Sequence, residues 1–392
     1  MSAQDRSHWP SIVLGVSLCA FAAFLQFKLP PILPDFLQLY DHNASVAAGF
    51  MSIFALVGLA VSTPLGRFLE KRGIVLGLAL GFGLAMSGIG LGLLLPQSSP
   101  AMLAARGLEG LAFAALALIG PAIANRAAAR RDLALVTGLI ATWIPIGQIL
   151  GALLVLAGLD WRGLWIVNLL LVPVLVFACW RLRDHIFDRI APTAPASVSP
   201  ISIGSNRLVL ASSIFLLWSL QYFAFMTWLT QYLREELSLS RQASVLAYLL
   251  PAAVVLVCNV ATGLALRHGM KLLPALIAAL SMQFAVWAAS PWLQGEIGLI
   301  ALILYGIGAG ITPACLFHLP HFIAGTKAGP RAFGVLLTGR NIGVFLGPIL
   351  MAQLFQGSLG WLGGALAMAG LVAVACLLAV LLGLRLRQGT SR

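Results

Sequence analysis

Charge is scarce in this 392-residue chain: Asp, Glu, Lys and Arg together make up only 9% of it, against about 25% in soluble domains. That shortage excludes a soluble globular fold. Acids are scarcest, with 12 Asp and Glu against 24 Lys and Arg, for a net charge of +12. In a soluble chain that imbalance would suggest nucleic acid. Here the bases gather between apolar runs and report orientation instead, so no nucleic-acid partner is expected. Cysteine is also sparse. Cys19, Cys179, Cys258, Cys315 and Cys376 lie far apart, with no CxxC or Cys/His ligand spacing, which excludes a disulfide framework and a metal site. HExxH, GxSxG and GxxxxGK[ST] are all missing, as is any cluster of paired acids inside the apolar runs. The common hydrolase sites and direct drive by ATP are thereby set aside. Neither an enzyme nor a cofactor is expected. The opening "MSAQDRSHWP" lacks a basic n-region and a small-residue cleavage site, so the first apolar run is expected to stay as a helix.

What the chain has in abundance is apolar sequence, 60% hydrophobic. Runs such as 11–27, 74–95, 133–159 and 363–384 approach or exceed the ~20 residues that span hydrocarbon. Breakers and caps divide the sequence into twelve expected spans: 10–33, 44–66, 73–95, 100–124, 132–157, 162–182, 207–232, 242–266, 271–290, 296–322, 331–356 and 360–386. Asn43 to Ser45, Ser99 before Pro100, and Ser238 to Ser240 supply N-cap chemistry. The reading is an all-α membrane protein, with a six-helix bundle at 1–182, a Pro/Ser/Ala-rich linker at 183–206 and a second bundle at 207–392. With the N-terminus cytoplasmic, 18 of the Lys and Arg residues fall on the cytoplasmic side, 3 on the other side and 3 within spans. That asymmetry places both termini and the linker in the cytoplasm and implies a multi-pass protein of the inner membrane.

The halves echo each other. Gly138, Gly147 and Gly151 recur as Gly334, Gly343 and Gly347, each 196 later, and Leu25-Gln26 matches Leu220-Gln221. Gly66 likewise matches Gly263, and Trp161 matches Trp361. Two parallel six-helix halves are an architecture of alternating-access transporters, with a substrate site near mid-membrane between them. Between spans two and three, "GRFLEKRG" sets Gly66, Glu70, Lys71 and Gly73 in a G-x-x-x-[DE]-[RK]-x-G pattern, and "RGLEG" sets Arg106, Glu109 and Gly110 in the fourth span. Both resemble motifs of the major facilitator superfamily, with Glu70 for its usual Asp, Glu109 for its usual Gln, and Ile74 where a further base is usual. The resemblance implies twelve helices in two pseudo-symmetric bundles, a transporter acting as a monomer among membrane lipids, and a gating loop at Gly66, Glu70, Lys71 and Gly73. The proton-coupled exporters of that superfamily carry G-x-x-x-G-P-x-x-G-G in span five. Here "TWIPIGQILG" keeps Gly147 and Gly151 but displaces the proline to Pro145, which argues against drug/proton antiport. "LPPILPDF", 29–36, resembles the first-span exit of the cyanate/nitroimidazole permease branch, without the Asn-Leu-Arg-Pro element usual upstream.

Three cations lie within spans. Arg106 and Glu109, three residues apart, share a helix face and form an expected ion pair. They are the candidates for coupling to a proton, Glu109 as its carrier. Lys28 either snorkels to the headgroups or enters a cavity, with Asp35 in reach, and Arg340 lies too deep to snorkel. With Glu109 spent on Arg106, Lys28 and Arg340 would remain as fixed positive groups in low dielectric, which a counter-ion should visit. Gln26, Gln221, Tyr222, Asn341 and His318 are candidate hydrogen-bonding partners of the solute. Trp9, Trp161, Trp180, Trp292 and Trp361 sit at span ends as belt anchors, and Trp143 and Trp218 are assigned to lipid contact. The expected activity is proton-coupled symport of a small anion; the alternative is efflux of drugs or other hydrophobic compounds by proton antiport.

Overall fold

The structure, a computed structural model, describes residues 6–129, 132–187, 206–290, 295–324 and 330–390. Every regular element among them is helical. In chain order these are α1 (Trp9–Phe27), α2 (Leu33–Tyr40), α3 (Ala44–Arg72), α4 (Ile74–Leu94), α5 (Ser99–Ala127), α6 (Leu133–Ala141), α7 (Trp143–Leu156), α8 (Trp161–Arg181) and α9 (Arg183–Phe187). The second half holds α10 (Asn206–Glu235), α11 (Arg241–Arg267), α12 (Leu272–Ala289), α13 (Gly295–Ala324), α14 (Pro330–Phe355) and α15 (Gly360–Thr390). Eleven stretches among the described residues are long and apolar enough to cross a membrane. The fifth span is divided at Thr142 into α6 and α7, and α7 alone is the shorter apolar helix. The chain separates into two compact units, 1–196 and 197–392.

Local chemistry sets the ends. Asn43 accepts from the Ser45 amide at 2.7 Å and Ser240 from Ala243 at 3.3 Å. At α5 the cap is Ser98, which accepts from the Ala101 amide, so the helix starts one residue earlier than the Ser99–Pro100 signal suggests and carries its proline inside the first turn. The first span does not run straight to residue 33. Pro30 and Pro31 lack the N–H that would continue α1, so the chain passes through a 3-10 turn at Pro30–Ile32 before α2. The "GRFLEKRG" stretch is helix rather than loop, since α3 runs to Arg72 and α4 begins at Ile74. Gly73 alone makes the turn, at φ 83°, a left-handed conformation that glycine adopts without a Cβ penalty. Lys71 and Arg72 are exposed there, beside the terminal carbonyls whose partial charge they complement.

Each unit repeats the same close approaches. A Cβ on Gly147 would lie within 2.7 Å of Ala23 and Phe24, and one on Gly343 within 2.9 Å of Ser219 and Leu220. These glycines let α7 lie against α1 and α14 against α10. Likewise Gly110 packs on Phe54 and Val57 of α3, and Gly306 on Pro251 and Val254 of α11. The duplication read in the sequence is thus a duplication of packing.

Candidate functional site

In the first unit the deepest polar cluster is built from α1, α5 and α8. Glu109 lies between two cations: Lys28 Nζ donates to its Oε1 at 2.7 Å, and Arg106 donates to its Oε2. All three side chains are fully buried. Pro30 explains part of the arrangement. Its missing N–H leaves the Gln26 carbonyl without a helical donor, and Arg106 Nη2 donates to that oxygen at 2.8 Å. Nη1 also reaches the Leu25 carbonyl at 2.7 Å, and Nε the Phe50 carbonyl at 3.0 Å. The guanidinium therefore ties α5 to the broken end of α1 and to α3. Gly88 makes room on α4, because a Cβ there would sit 2.8 Å from the Glu109 side chain. Trp165 of α8 closes the cluster, its ring 4.0 Å below the Lys28 ammonium. The other face of Arg106 covers Phe54 at 4.4 Å.

The Arg106–Glu109 contact stands where helical spacing put it, but Lys28 neither snorkels nor remains unpaired. Burial beside a carboxylate with room for two donors takes it inward to Glu109 instead of Asp35. The three charges sum to +1. Gln26, also buried, contributes its backbone carbonyl to Arg106.

The second unit holds a buried neutral network. Gln221 accepts from Trp287 Nε1 at 2.7 Å and from Tyr305 Oη at 2.8 Å, and donates to Gln283 at 2.7 Å. Gln283 in turn donates to Thr312 at 3.0 Å. Tyr305 stands 196 residues after Glu109, so a phenol takes the place of the carboxylate. Tyr222 is buried and stacks on Trp218 at 5.1 Å. Trp218 is itself only 5% exposed, and Trp161 and Trp361 are 5% and 8% exposed, so these three are core side chains rather than lipid-facing ones. Their rings pack against other aromatics, and that apolar burial outweighs an interfacial position. Trp9 and Trp180 are exposed.

Arg340 of α14 is half-buried. Nη1 donates to the Asn341 side chain at 3.0 Å, and the guanidinium lies 5.8 Å from the Phe223 ring. Among the described residues no carboxylate pairs with it. His318 is exposed on α13, with Nδ1 2.8 Å from the Ala314 carbonyl of its own helix. The Glu70 side chain and Trp292 lie outside the described residues.

Two bundles with matched packing, each centred on a buried polar cluster, meet a family model, "Major Facilitator Superfamily", that matches residues 16–329. The chain belongs to the major facilitator superfamily. A transporter follows from that membership. A search of curated proteins finds no significant match. Among solved structures, this major facilitator chain is similar to the nucleoside transporter NupG in a point-mutant form. The TM-score is 0.78 at 14% identity, over 95% of this chain and 99% of that one. At that identity the likeness is one of fold.

Sequence reasoning missed Trp165, Gln283, Trp287, Tyr305 and Thr312. Only the 196-residue offset from Glu109 to Tyr305 carried a signal for any of them.

Proposed function

We propose that this transporter moves a small anion, an organic carboxylate above all, across the inner membrane by alternating access, coupled to protons. Arg340 carries the reading. It is a half-buried guanidinium in a spanning helix with an amide, rather than a carboxylate, beside it among the described residues. Such a charge in low dielectric calls for a counter-ion, and its planar fork suits a carboxylate bound through both oxygens.

The buried triad supplies the coupling. When Glu109 takes a proton it loses its hold on Lys28, so protonation rearranges the buried charges of the first unit. In the second unit, Asn341 beside Arg340 offers a further hydrogen bond to an oxygen-rich solute. Lys71, Gly73, Gly66 and Glu70 form the lock that holds one access state.

The similar solved structure is named for nucleoside transport, and a nucleoside is the competing solute. In proteoliposomes, Arg340→Gln should cut uptake of a small carboxylate at least tenfold, while Arg340→Lys keeps part of it. Glu109→Gln should remove the dependence on a pH gradient. Undiminished uptake in Arg340→Gln, or uptake of a nucleoside in place of the carboxylate, would overturn the reading.

A further inference from the structure

The second unit contains a partly open cavity of about 1040 Å³, lined by residues of α10 to α15 and of the α10–α11 turn. Its position in the repeat explains why space is there. Gly147 packs on Ala23 and Phe24 as Gly343 packs on Ser219 and Leu220, a register of 196 residues in which Ala224 holds the place of Lys28. The paired approaches of Gly110 to Phe54 and of Gly306 to Pro251 align α3 with α11 and α5 with α13. Ala247 thereby matches Phe50, and Leu302 matches Arg106. Trp161 and Trp361 open α8 and α15, and buried positions recur in register behind them, so Ala365 matches Trp165. In the first unit Lys28, Phe50, Arg106 and Trp165 are all fully buried and fill the bundle. Their four counterparts are three alanines and a leucine, and every one of them lines the cavity.

We infer that this cavity is a binding site for a hydrophobic cation bearing aromatic rings, which occupies the volume that the first unit fills with its own side chains. Two features of the lining select that chemistry. Trp228, Tyr232, Trp287 and Trp361 are among the lining residues, and aromatic side chains suit ring packing and attract a cation. The ionisable carboxylates in the lining are Glu236 and Glu296, both exposed, while no Lys or Arg lines it among the described residues. An apolar body therefore finds the depth of the cavity, and a positive group finds the acidic mouth. Trp361 is fixed in place by donating its indole N–H to Glu235 at 3.1 Å. The site is separate from Arg340 and does not rest on the transport reading.

Two ions of the same shape and opposite sign test it. Binding of tetraphenylphosphonium and tetraphenylborate to the purified full-length protein is measured by equilibrium dialysis, with no transport step involved. The phosphonium should bind saturably and at least tenfold more tightly than the borate. Ala365→Trp and Ala247→Phe restore the bulk found in the first unit, and each should weaken phosphonium binding at least tenfold while the protein elutes as a single species with an unchanged Tm. The Glu236→Gln/Glu296→Gln double variant alters only exposed side chains. It should weaken the phosphonium at least threefold and leave the borate no weaker, and it decides the matter if the filled variants fail to fold. Equal binding of the two ions to the wild-type protein, full binding in folded filled variants, or an unaltered preference in the double variant would each overturn the proposal.

Discussion

Glu109 has two cationic partners, and the two are not equivalent. Removing the carboxylate strands both Lys28 and Arg106 without an anion, and breaking a buried pair in this way costs about 3–5 kcal/mol. Removing Lys28 leaves Arg106 and Glu109 as a balanced pair with their hydrogen bonds intact. Glu109→Ala should therefore lower the thermal stability of the detergent-solubilised protein far more than Lys28→Met. An equal or reversed order in the two melting curves would show that the triad is not held as described. The Arg106–Glu109 half of this arrangement was legible in the sequence, because helical periodicity puts residues three apart on one face. The Lys28 half was not. Its partner lies 81 residues away, and no local pattern records a tertiary contact of that kind. Trp218, Trp161 and Trp361 were misplaced for a related reason: an indole within or at the end of an apolar run looks the same whether lipid or a neighbouring ring covers it.

At the scale of the helix, glycine counts only where another backbone comes close. A Cβ on Gly147 would meet the Ala23 backbone at 2.6 Å, whereas one on Gly83, on α4, would find nothing within 4 Å. Gly147→Leu should force α7 off α1, at about 1–3 kcal/mol or more for overpacking. Gly83→Ala should be neutral or stabilise by up to about 1 kcal/mol, through helix propensity. Parallel unfolding curves check both, and a tolerated Gly147→Leu would mean that the contact between α1 and α7 is not tight. The sequence marked the repeating glycines and the caps at Asn43 and Ser240, but not every helix end. The break at Pro30–Pro31 and the extension of α3 to Arg72 depend on where hydrogen-bond donors run out and where a single left-handed glycine suffices to turn the chain.

For the whole molecule, the strongest signal was also the crudest. Bases crowd one set of connections by 18 to 3, and that asymmetry sets an orientation before any packing forms. A periplasm-dependent reporter fused after Arg392 should stay inactive, and one fused near Gln97 should be active; the opposite pattern would invert the topology. Apolar length announced the helices, and the spacing of the repeat announced two bundles. The solute is not written at this scale, because it depends on a few side chains whose neighbours come from distant helices.

The broken end of α1 also bears on how the protein is made. When this span leaves the ribosome, Lys28 has no Glu109, and the Gln26 carbonyl that Pro30 deprives of a donor has no Arg106. Both partners arrive with α5, some 81 residues later, which at 5–20 residues per second amounts to roughly 4–16 s of synthesis. Throughout that interval the first helix holds a charge and a bare carbonyl that lipid cannot satisfy. The nascent α1 therefore has reason to stay beside the insertion machinery, with water in reach, until the fourth span comes to claim it.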